Sequence, residues 1–419
     1  MAYPKVVIIG GGFAGLNVAR SLKKTKLQVL LIDKTNHHLF QPLLYEVATA
    51  ALSPGEIATP LREILRKQNN TTVIMGEITL INKEAKQITL SNGDIIGYDF
   101  LVIATGARHS YFGNDQWEIF APGLKTISDA LKIREQILIS FEKAERLDNM
   151  VEASKYLNFV IIGGGPTGVE MAGAIAEIAN KTLFQNFRRI APEKSKIYLV
   201  EGLPHILPSY PASLSAYAKK DLEKMGVTVI TGKKVTNITD RGVQVEEMFL
   251  DSMNVIWAAG NQASPLLKTL GVPLDRSGRV QVEPDLSIPN HPEVFVIGDA
   301  ACVLSKEGKP LPAIATAAIQ EGKYISHLIK NETPKAQRKP FQFFDKGSMA
   351  TIGKMKAIAM MGSLKVTGLL AWLMWAFIHI VYLIGFRSRV TVMVEWGITL
   401  LTNQRGVRLI NRPIDEKRK

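Results

Sequence analysis

Residues 5–19 read KVVIIGGGFAGLNVA, and this stretch decides the fold. Lys5 to Ile9 ends in four β-branched residues and predicts a short buried strand. Gly10, Gly12 and Gly15 follow as G-x-G-x-x-G, and Phe13 to Lys24 continues as a helix. This is the pattern of a dinucleotide-binding turn. The first glycine permits the tight turn, the second lets backbone approach a pyrophosphate, and the third lets helix pack on strand. Unpaired N–H groups and the positive end of the helix dipole face the phosphates. The next strand, Gln28 to Ile32, runs into Asp33, 18 residues after Gly15, where an acid meets ribose hydroxyls. A glycine turn serving packing alone is the competing reading. The strand before it, the helix after it and the acid all argue against that.

Working outward, 419 residues imply two or three domains. Apolar content of 46% and charge of 21% describe an ordered chain, and the net charge is +13. That charge is uneven, because residues 331–419 hold 15 Lys and Arg against five Asp and Glu. A basic region suits nucleic acid or an anionic membrane surface. The first residues lead directly into a strand, so no signal peptide is expected. Cys302 is the only cysteine, which excludes an intramolecular disulfide, a C-x-x-C pair and a cysteine metal cluster.

Residues 36–50, NHHLFQPLLYEVATA, carry two His, a Gln-Pro turn and large apolar side chains. They read either as packing against the sheet or as lining for a ligand pocket. His37 and His38 are adjacent, so their side chains diverge, and no third ligand has metal spacing. Ile78 to Leu90 and Tyr98 to Ile103 read as strands of a small sheet. Ala104, Thr105 and Gly106 follow as a turn where backbone passes close to a cofactor. Ser128 is expected to cap a helix running to about Leu147 and connecting two nucleotide domains.

The opening pattern then recurs. Residues 158–170 read NFVIIGGGPTGVE, so Gly163, Gly165 and Gly168 form a second G-x-G-x-x-G, 153 residues after the first. The following strand, Lys196 to Val200, ends in Glu201, 33 residues after Gly168, with an insertion accounting for the long spacing. VIWAAG at 255–260 echoes the earlier small-residue turn. The chain thus contains an internal duplication. EVFVIGDAA at 293–301 returns to the first domain. There Asp299 stands where it can hydrogen-bond the hydroxyls of an extended dinucleotide, or else begins a helical turn. The helix from Ala313 to Ile329 has an N-terminus suited to a reduced flavin's negative charge.

Two nucleotide turns, a small-residue segment after each and a late Gly-Asp strand resemble the flavoproteins built from two dinucleotide-binding domains. Within these, the chain resembles the type II NADH:quinone oxidoreductases, the single-subunit, non-pumping NADH dehydrogenases. The resemblance rests on residues 36–49, GGGPTGVEMAG (163–173), FRRIAP (187–192), WAAGNQASPLLK (257–268), VFVIGDAA (294–301) and DKGSMATIG (345–353). It implies an α/β fold with two Rossmann-like domains, for FAD and NADH, plus a C-terminal membrane-associating helical segment. The expected division is 1–112 and 284–345 for FAD, 113–283 for NADH and 346–419 for the membrane anchor.

Noncovalent FAD is expected at Gly10, Gly12, Phe13, Ala14, Gly15, Asp33, Lys34, Gln41, Pro42, Ala104, Thr105, Gly106, Gly298, Asp299 and Ala317. NADH is expected at Gly163, Gly165, Pro166, Thr167, Gly168, Glu201, Ala259 and Gly260. Glu201, with no Arg beside it, implies NADH rather than NADPH. Glu170 orients the nicotinamide amide or relays a proton, or else merely favours the helix N-terminus. Gln41, Pro42, Thr316 and Gln320 are the candidates for the side of the flavin that faces quinone. The family pattern A-Q-x-A-x-Q stands here as Ala315-Thr316-Ala317-Ala318-Ile319-Gln320, so its first Gln is Thr316. Disulfide reductases and sulfide:quinone oxidoreductases of related fold need a reactive thiolate. A lone Cys302, expected as a buried small hydrophobe, does not supply that chemistry.

Val366 to Phe386 is an uncharged run of 21 residues. As one helix it would extend about 31 Å, enough for the ~30 Å hydrocarbon core of a bilayer. Thr367, Ala371, Trp375 and His379 form a less oily stripe opposite Leu370, Leu373, Phe377 and Ile384, and Val390 to Leu401 contains Glu395. Both features favour attachment in the membrane plane over a span. Trp372, Trp375, Tyr382 and Trp396 suit the headgroup level, and Arg387, Arg389, Arg405 and Arg408 suit anionic lipid. The expected protein is a monotopic enzyme on the cytoplasmic face of the plasma or inner membrane. Its partners are NADH, a lipid quinone, an anionic surface and a second copy of itself, with no nucleic acid. A redox sensor with little turnover, or a reductase of a small electron carrier, is the alternative.

Overall fold

The structure is a computed structural model that describes residues 3–306 and 308–411. The chain forms two compact units. One comprises Met1–Leu39, Ala58–Arg108 and Asn261–Lys346, the other Phe40–Ile57, His109–Gly260 and Gly347–Lys419. The sequence expectation instead set the return to the first domain at residue 284 and the tail apart from residue 346.

In the first unit, Lys5–Ile9 lies at the heart of a six-stranded sheet, between Phe100–Ile103 and Gln28–Asp33. His291–Val296 and Thr71–Met75 extend it in parallel, and Ser287–Ile288 closes one edge antiparallel. Val6 to Ile9 are buried, as a parallel strand covered on both faces requires. Phe100–Ile103 therefore belongs to the central sheet. Only Ile78–Asn82, Gln87–Leu90 and Ile95–Gly97 make the small antiparallel sheet. The helix Phe13–Ser21 packs against the helix Ala315–Lys330. It stops three residues short of the expected Lys24, because Lys24 takes a left-handed φ of 62° and the Thr25 hydroxyl closes on Leu22 O.

The second unit repeats the theme with a four-stranded parallel sheet ordered Val227–Thr231, Lys196–Glu201, Asn158–Ile162, Asn254–Trp257. The helix Ile127–Arg146 belongs to this unit. Its cap is Thr126, not Ser128: the Thr126 hydroxyl accepts from Asp129 N (3.2 Å) and the Asp129 carboxylate accepts from Thr126 N (2.8 Å). This reciprocal capping box satisfies two otherwise orphaned N–H groups.

The tail is built into the same unit. Ser348–Gly353, Lys356–Met361 and Leu364–Thr367 form an antiparallel sheet, followed by the helices Gly368–Tyr382 and Phe386–Thr402. The uncharged run thus begins in a strand. Its helix has 15 residues, about 22 Å long, and no described helix is long and apolar enough to cross a membrane. Ala371 and Trp375 are buried, while Leu370, Leu373 and Phe377 are 61%, 51% and 68% exposed. The stripe of smaller and less oily residues faces the protein, and the oily face is uncovered.

The helix Pro166–Glu177 packs against the strand Ser348–Gly353, and Gly173 makes the approach possible: a β-carbon there would overlap Ile352 O. Ala is the better helix former by about 1 kcal/mol, yet overpacking costs about 1–3 kcal/mol. Gly173→Ala is therefore expected to lower the denaturation midpoint. Gly55→Ala, where a β-carbon meets open space, should not lower it. Equal midpoints for both variants would refute the close contact.

Candidate functional site

At the first turn, Gly10 has φ +102°, and a β-carbon there would overlap Ala104 O. One on Gly15 would overlap Gly10 O, and one on Gly12 meets nothing within 4 Å. Two glycines are demanded by protein backbone, and the third leaves open the space a phosphate needs. Asp33 reaches back to the turn: Oδ2 accepts from Gly11 N (2.6 Å), and Oδ1 accepts from the N–H and hydroxyl of Thr35 (2.7 and 2.8 Å). The Thr105 hydroxyl is buried without a protein partner. Gly298 (φ +68°) turns beside Ala14 and Ala318. The Gly298-Asp299-Ala300 segment is a 3₁₀ turn, and Asp299 lines a cavity with Arg279, Ala317, Ala318 and Glu321. The Glu321 carboxylate accepts from Gly298 N, and burial pushes its pKa up to about 7. Lys34 is exposed. The open glycine and the orphaned Thr105 hydroxyl, both just past the carboxyl ends of the two central strands, fit an extended dinucleotide such as FAD.

The second turn reproduces this geometry. Gly163 has φ +108° and would place a β-carbon 2.7 Å from Ala259 N. Gly168 would overlap Gly163 O, and Gly165 meets open space. Glu201 Oε2 accepts from Gly164 N (2.6 Å), and Oε1 accepts from Leu203 N (2.8 Å). Pro166 occupies the first helical position, where its missing N–H costs nothing. Thr167 follows it, and Gly260 takes φ +69° beside Ala259. The fold also brings cations that sequence adjacency did not show. Lys233 N donates to Glu201 O (3.3 Å), and Lys234 Cγ lies 3.6 Å from a β-carbon built on Gly202. The Lys233 ammonium is engaged by Glu246 at 2.6 Å.

Other expected residues have their own local partners. Gln41 and Pro42 belong to the unit of the second turn, with Gln41 Nε2 donating to Lys125 O (3.1 Å). Gln320 is occupied: Nε2 donates to Phe344 O (2.9 Å) and Thr316 O (3.1 Å), and Oε1 accepts from Phe344 N (3.0 Å). Its amide braces residue 344. Thr316 has the opposite condition, with a buried hydroxyl and no partner. Arg405 is buried, and so cannot face lipid. Its Nη1 donates to Thr49 O (2.6 Å), and its Nη2 donates to Ala174 O and pairs with Glu177 (both 3.3 Å). Arg389 is turned onto the carbonyls of Leu383 and Val381. Trp372 and Trp375 each set a tilted ring against Trp396, at centroid distances of 6.5 and 5.2 Å.

Those tryptophans wall a cavity within the second unit, about 590 Å³ of atom-free space partly open to solvent. Residues 40–57 contribute Tyr45, Glu46, Thr49 and Ala51, and the helix after the second glycine turn contributes Glu170, Ala174 and Glu177. Glu170, Ala174 and Glu177 recur at i, i+4 and i+7, which is one helix face. Glu46 Oε1 accepts from Tyr45 OH (3.1 Å), Tyr45 OH meets Thr351 Oγ1 (3.1 Å), and Glu46 Oε2 accepts from Trp396 Nε1 (2.8 Å). Burial pushes the Glu46 carboxyl up to about 7, opposed by its hydrogen bonds and by Arg405. Burial drives Glu170 well above the usual carboxylate range, and the Glu46 charge adds to that. Sequence reasoning flagged residues 36–50 as a possible pocket wall but missed Glu46, Thr351, Lys354 and Arg405 as its polar members. The available signal was an acid inside an otherwise apolar run.

Residues 4–322 match the model of the family described as pyridine nucleotide-disulphide oxidoreductase, and residues 346–404 match the NDH2 C-terminal domain. The chain is 46% identical to the type II NADH:quinone oxidoreductase Ndh of Mycobacterium tuberculosis, covering 96% of this chain and 89% of that one. It is 28% identical to a type II NADH:quinone oxidoreductase of Staphylococcus haemolyticus over 87% of this chain and 91% of the other. The fold is similar to that of NDH2 from Plasmodium falciparum in complex with NADH, with a TM-score of 0.89, 23% identity, and 97% and 99% of the two chains covered.

The geometry at Glu201 generates a coenzyme test. A carboxylate held at the strand end by Gly164 and Leu203 accepts ribose hydroxyls and repels a 2′-phosphate, whereas Lys234 nearby attracts one. With the carboxylate in place, kcat/KM should favour NADH over NADPH. Glu201→Gln should narrow the ratio, by about tenfold for the loss of about 1.4 kcal/mol of discrimination. Equal efficiency with both coenzymes in the unmodified protein would overturn the assignment.

Proposed function

Because the chain belongs to the type II NADH:quinone oxidoreductases, we propose that the cavity between Tyr45, Glu170 and the three tail tryptophans takes the quinone headgroup. The overall reaction is that of the family: a hydride from NADH reduces FAD, and two electrons pass on to quinone at a membrane. FAD, when bound, supplies the two-electron chemistry. Asp33, Thr105 and Asp299 are the side chains proposed to hold it, around the open Gly12 and beside Ala317. Glu201 and the open Gly165 are proposed to hold NADH.

The observation that carries the quinone reading is the composition of the cavity wall. Flat aromatic surfaces stand beside a few convergent polar groups, the usual make-up of a small-molecule site. Trp372 and Trp375 come from one tail helix and Trp396 from the other. The outer faces of the same helices bear Leu370, Phe377, Phe386 and Leu401, all more than half exposed. We propose that this face lies in the membrane plane, so that a lipid quinone reaches the cavity without crossing water. Exposed Arg387 is one cation available to anionic headgroups. The cytoplasmic side is the proposed location, because NADH is made there. A second copy of the chain is the alternative cover for the apolar face.

Two experiments test this reading. Ala51→Trp places an indole in the cavity, and overpacking of about 1–3 kcal/mol should raise KM for a short-chain quinone about tenfold. Anaerobic bleaching of the flavin by NADH should be unchanged. An unaltered quinone KM would move the quinone elsewhere. For the membrane, deleting the tail would uncover Glu177 and Glu170, so point changes are the cleaner probe. Leu370→Glu combined with Phe377→Glu should release the protein from anionic lipid vesicles and leave bound flavin in place. Retention on vesicles would reject the in-plane face.

A further inference from the structure

The cavity of the second unit holds more acid than base. Glu46, Glu170 and Glu177 line it with only two cations, Lys354 and Arg405. Glu177 is already committed, since it pairs with Arg405 at 3.3 Å and accepts from Lys354 N. The Lys354 ammonium is directed to Leu400 O and to Asn403 Oδ1 (2.9 Å). Glu46 and Glu170 have no ion-pair partner among the described residues. Two carboxyls in one partly desolvated space, without a cation of their own, are pushed toward the protonated form.

Glu46 differs from Glu170 in its wiring. One oxygen faces the Tyr45 hydroxyl, which in turn faces the Thr351 hydroxyl, and either of these two hydroxyls can donate. With Glu46 ionised, Thr351 donates to Tyr45 and Tyr45 to the carboxylate. With Glu46 protonated, the chain can run the other way. The second oxygen is fixed by the indole of Trp396 at 2.8 Å. A carboxyl at the end of a reversible hydroxyl chain, with its orientation locked, is built to exchange a proton.

We propose that Glu46 is a proton-donating residue of quinone reduction, delivering one of the two protons into the cavity it shares with Glu170. This rests on the reading of that cavity as the quinone site. Quinone gains two electrons through the established reaction and two protons to become quinol. One proton leaves the Glu46 carboxyl: its O–H bond breaks, the electron pair stays on the carboxylate, and an O–H bond forms on the quinone oxygen. The hydride of NADH carries the second hydrogen into the overall reaction, so the protein supplies one net proton per quinol. Glu46 regains its proton from water through Tyr45 and Thr351.

The groups that set its protonation are Tyr45 on its own helix, Glu170 and Glu177 on the helix Pro166–Glu177, Lys354 after the strand Ser348–Gly353, and Arg405 in the tail. The helix Ile127–Arg146, which also packs against the Glu46 helix, carries the buried Arg134. The helix Phe386–Thr402 brings Trp396 and Glu395. A balance near 7 populates both forms at working pH.

The test is the pH profile of kcat with a short-chain quinone. In the unmodified protein, kcat should fall as pH rises through about 7, because the donor loses its proton. Glu46→Gln keeps the shape but has no proton to release. It should lower kcat at neutral pH by about ten- to hundredfold, abolish that alkaline limb and leave NADH bleaching of the flavin intact. Trp396→Phe removes a donor that favours the carboxylate, so its limb should move to higher pH. This second variant covers the case in which Glu46→Gln does not fold. Wild-type kcat and an unmoved limb in Glu46→Gln, or an unmoved limb in Trp396→Phe, would overturn the proposal. If Ala51→Trp still raises quinone KM in that event, the cavity stands and only the role of Glu46 fails.

Discussion

The buried pairing of Arg405 with Glu177 is the contact on which the second unit's cavity depends. A guanidinium removed from water is tolerable only when its donors are used, and here they reach Thr49 O, Ala174 O and the Glu177 carboxylate. Removing one partner of such a pair typically costs about 3–5 kcal/mol, because the other charge is left unpaired. The pair joins three stretches far apart in sequence: residues 40–57, the helix after the second glycine turn, and the tail. Lys354 reinforces it by tying the hairpin to Leu400 and Asn403. With those stretches held, Glu46, Glu170 and the tryptophans converge on one space.

One helix serves both ends of this arrangement. Its N-terminus forms the glycine turn, where Gly163 and Gly168 allow backbone to approach backbone. Its side carries Glu170, Ala174 and Glu177 into the cavity, and Gly173 lets it lie directly on the strand of the tail sheet. Substitutions on that helix therefore bear on nucleotide geometry and cavity geometry together. The repeated turn in the first unit has a different continuation: Ala14 O lies against Gly322 of the helix Ala315–Lys330, and Gly298 sits beside Ala14. The same local motif supports two neighbourhoods because only its strand, turn and acid are repeated.

Two kinds of carboxylate occur in both units. Asp33 and Glu201 are each satisfied by backbone N–H groups at their turns. Glu46, Glu170 and Glu321 lie in desolvated space without a paired cation, so burial raises all three. At the glycine turns backbone N–H groups hold the acids, whereas at Glu46, Glu170 and Glu321 burial outweighs the hydrogen bonds each accepts. The surroundings separate the two kinds of carboxylate, although both are read as the same letters in the sequence.

The sequence by itself determined the duplicated nucleotide turns, their strands and helices, the acids at positions 33 and 201, the family, and the oily face of the tail. Each is encoded locally: glycines where backbone must approach backbone, apolar residues at the period of the element, and an acid where a strand ends. Helix ends were less legible, because the cap at Thr126 and the stop before Lys24 depend on hydrogen bonds and a left-handed residue that competing choices mimic. Tertiary structure alone decided that Arg405 faces Glu177 instead of lipid, that the Gln320 amide braces residue 344, and that the tail tryptophans wall a cavity with Glu46. Those outcomes depend on which groups meet across 24 residues for Gln320 and Phe344, 228 for Arg405 and Glu177, and 350 for Trp396 and Glu46. Desolvation and pairing at such meetings are properties of the assembled fold, and no local pattern carries them.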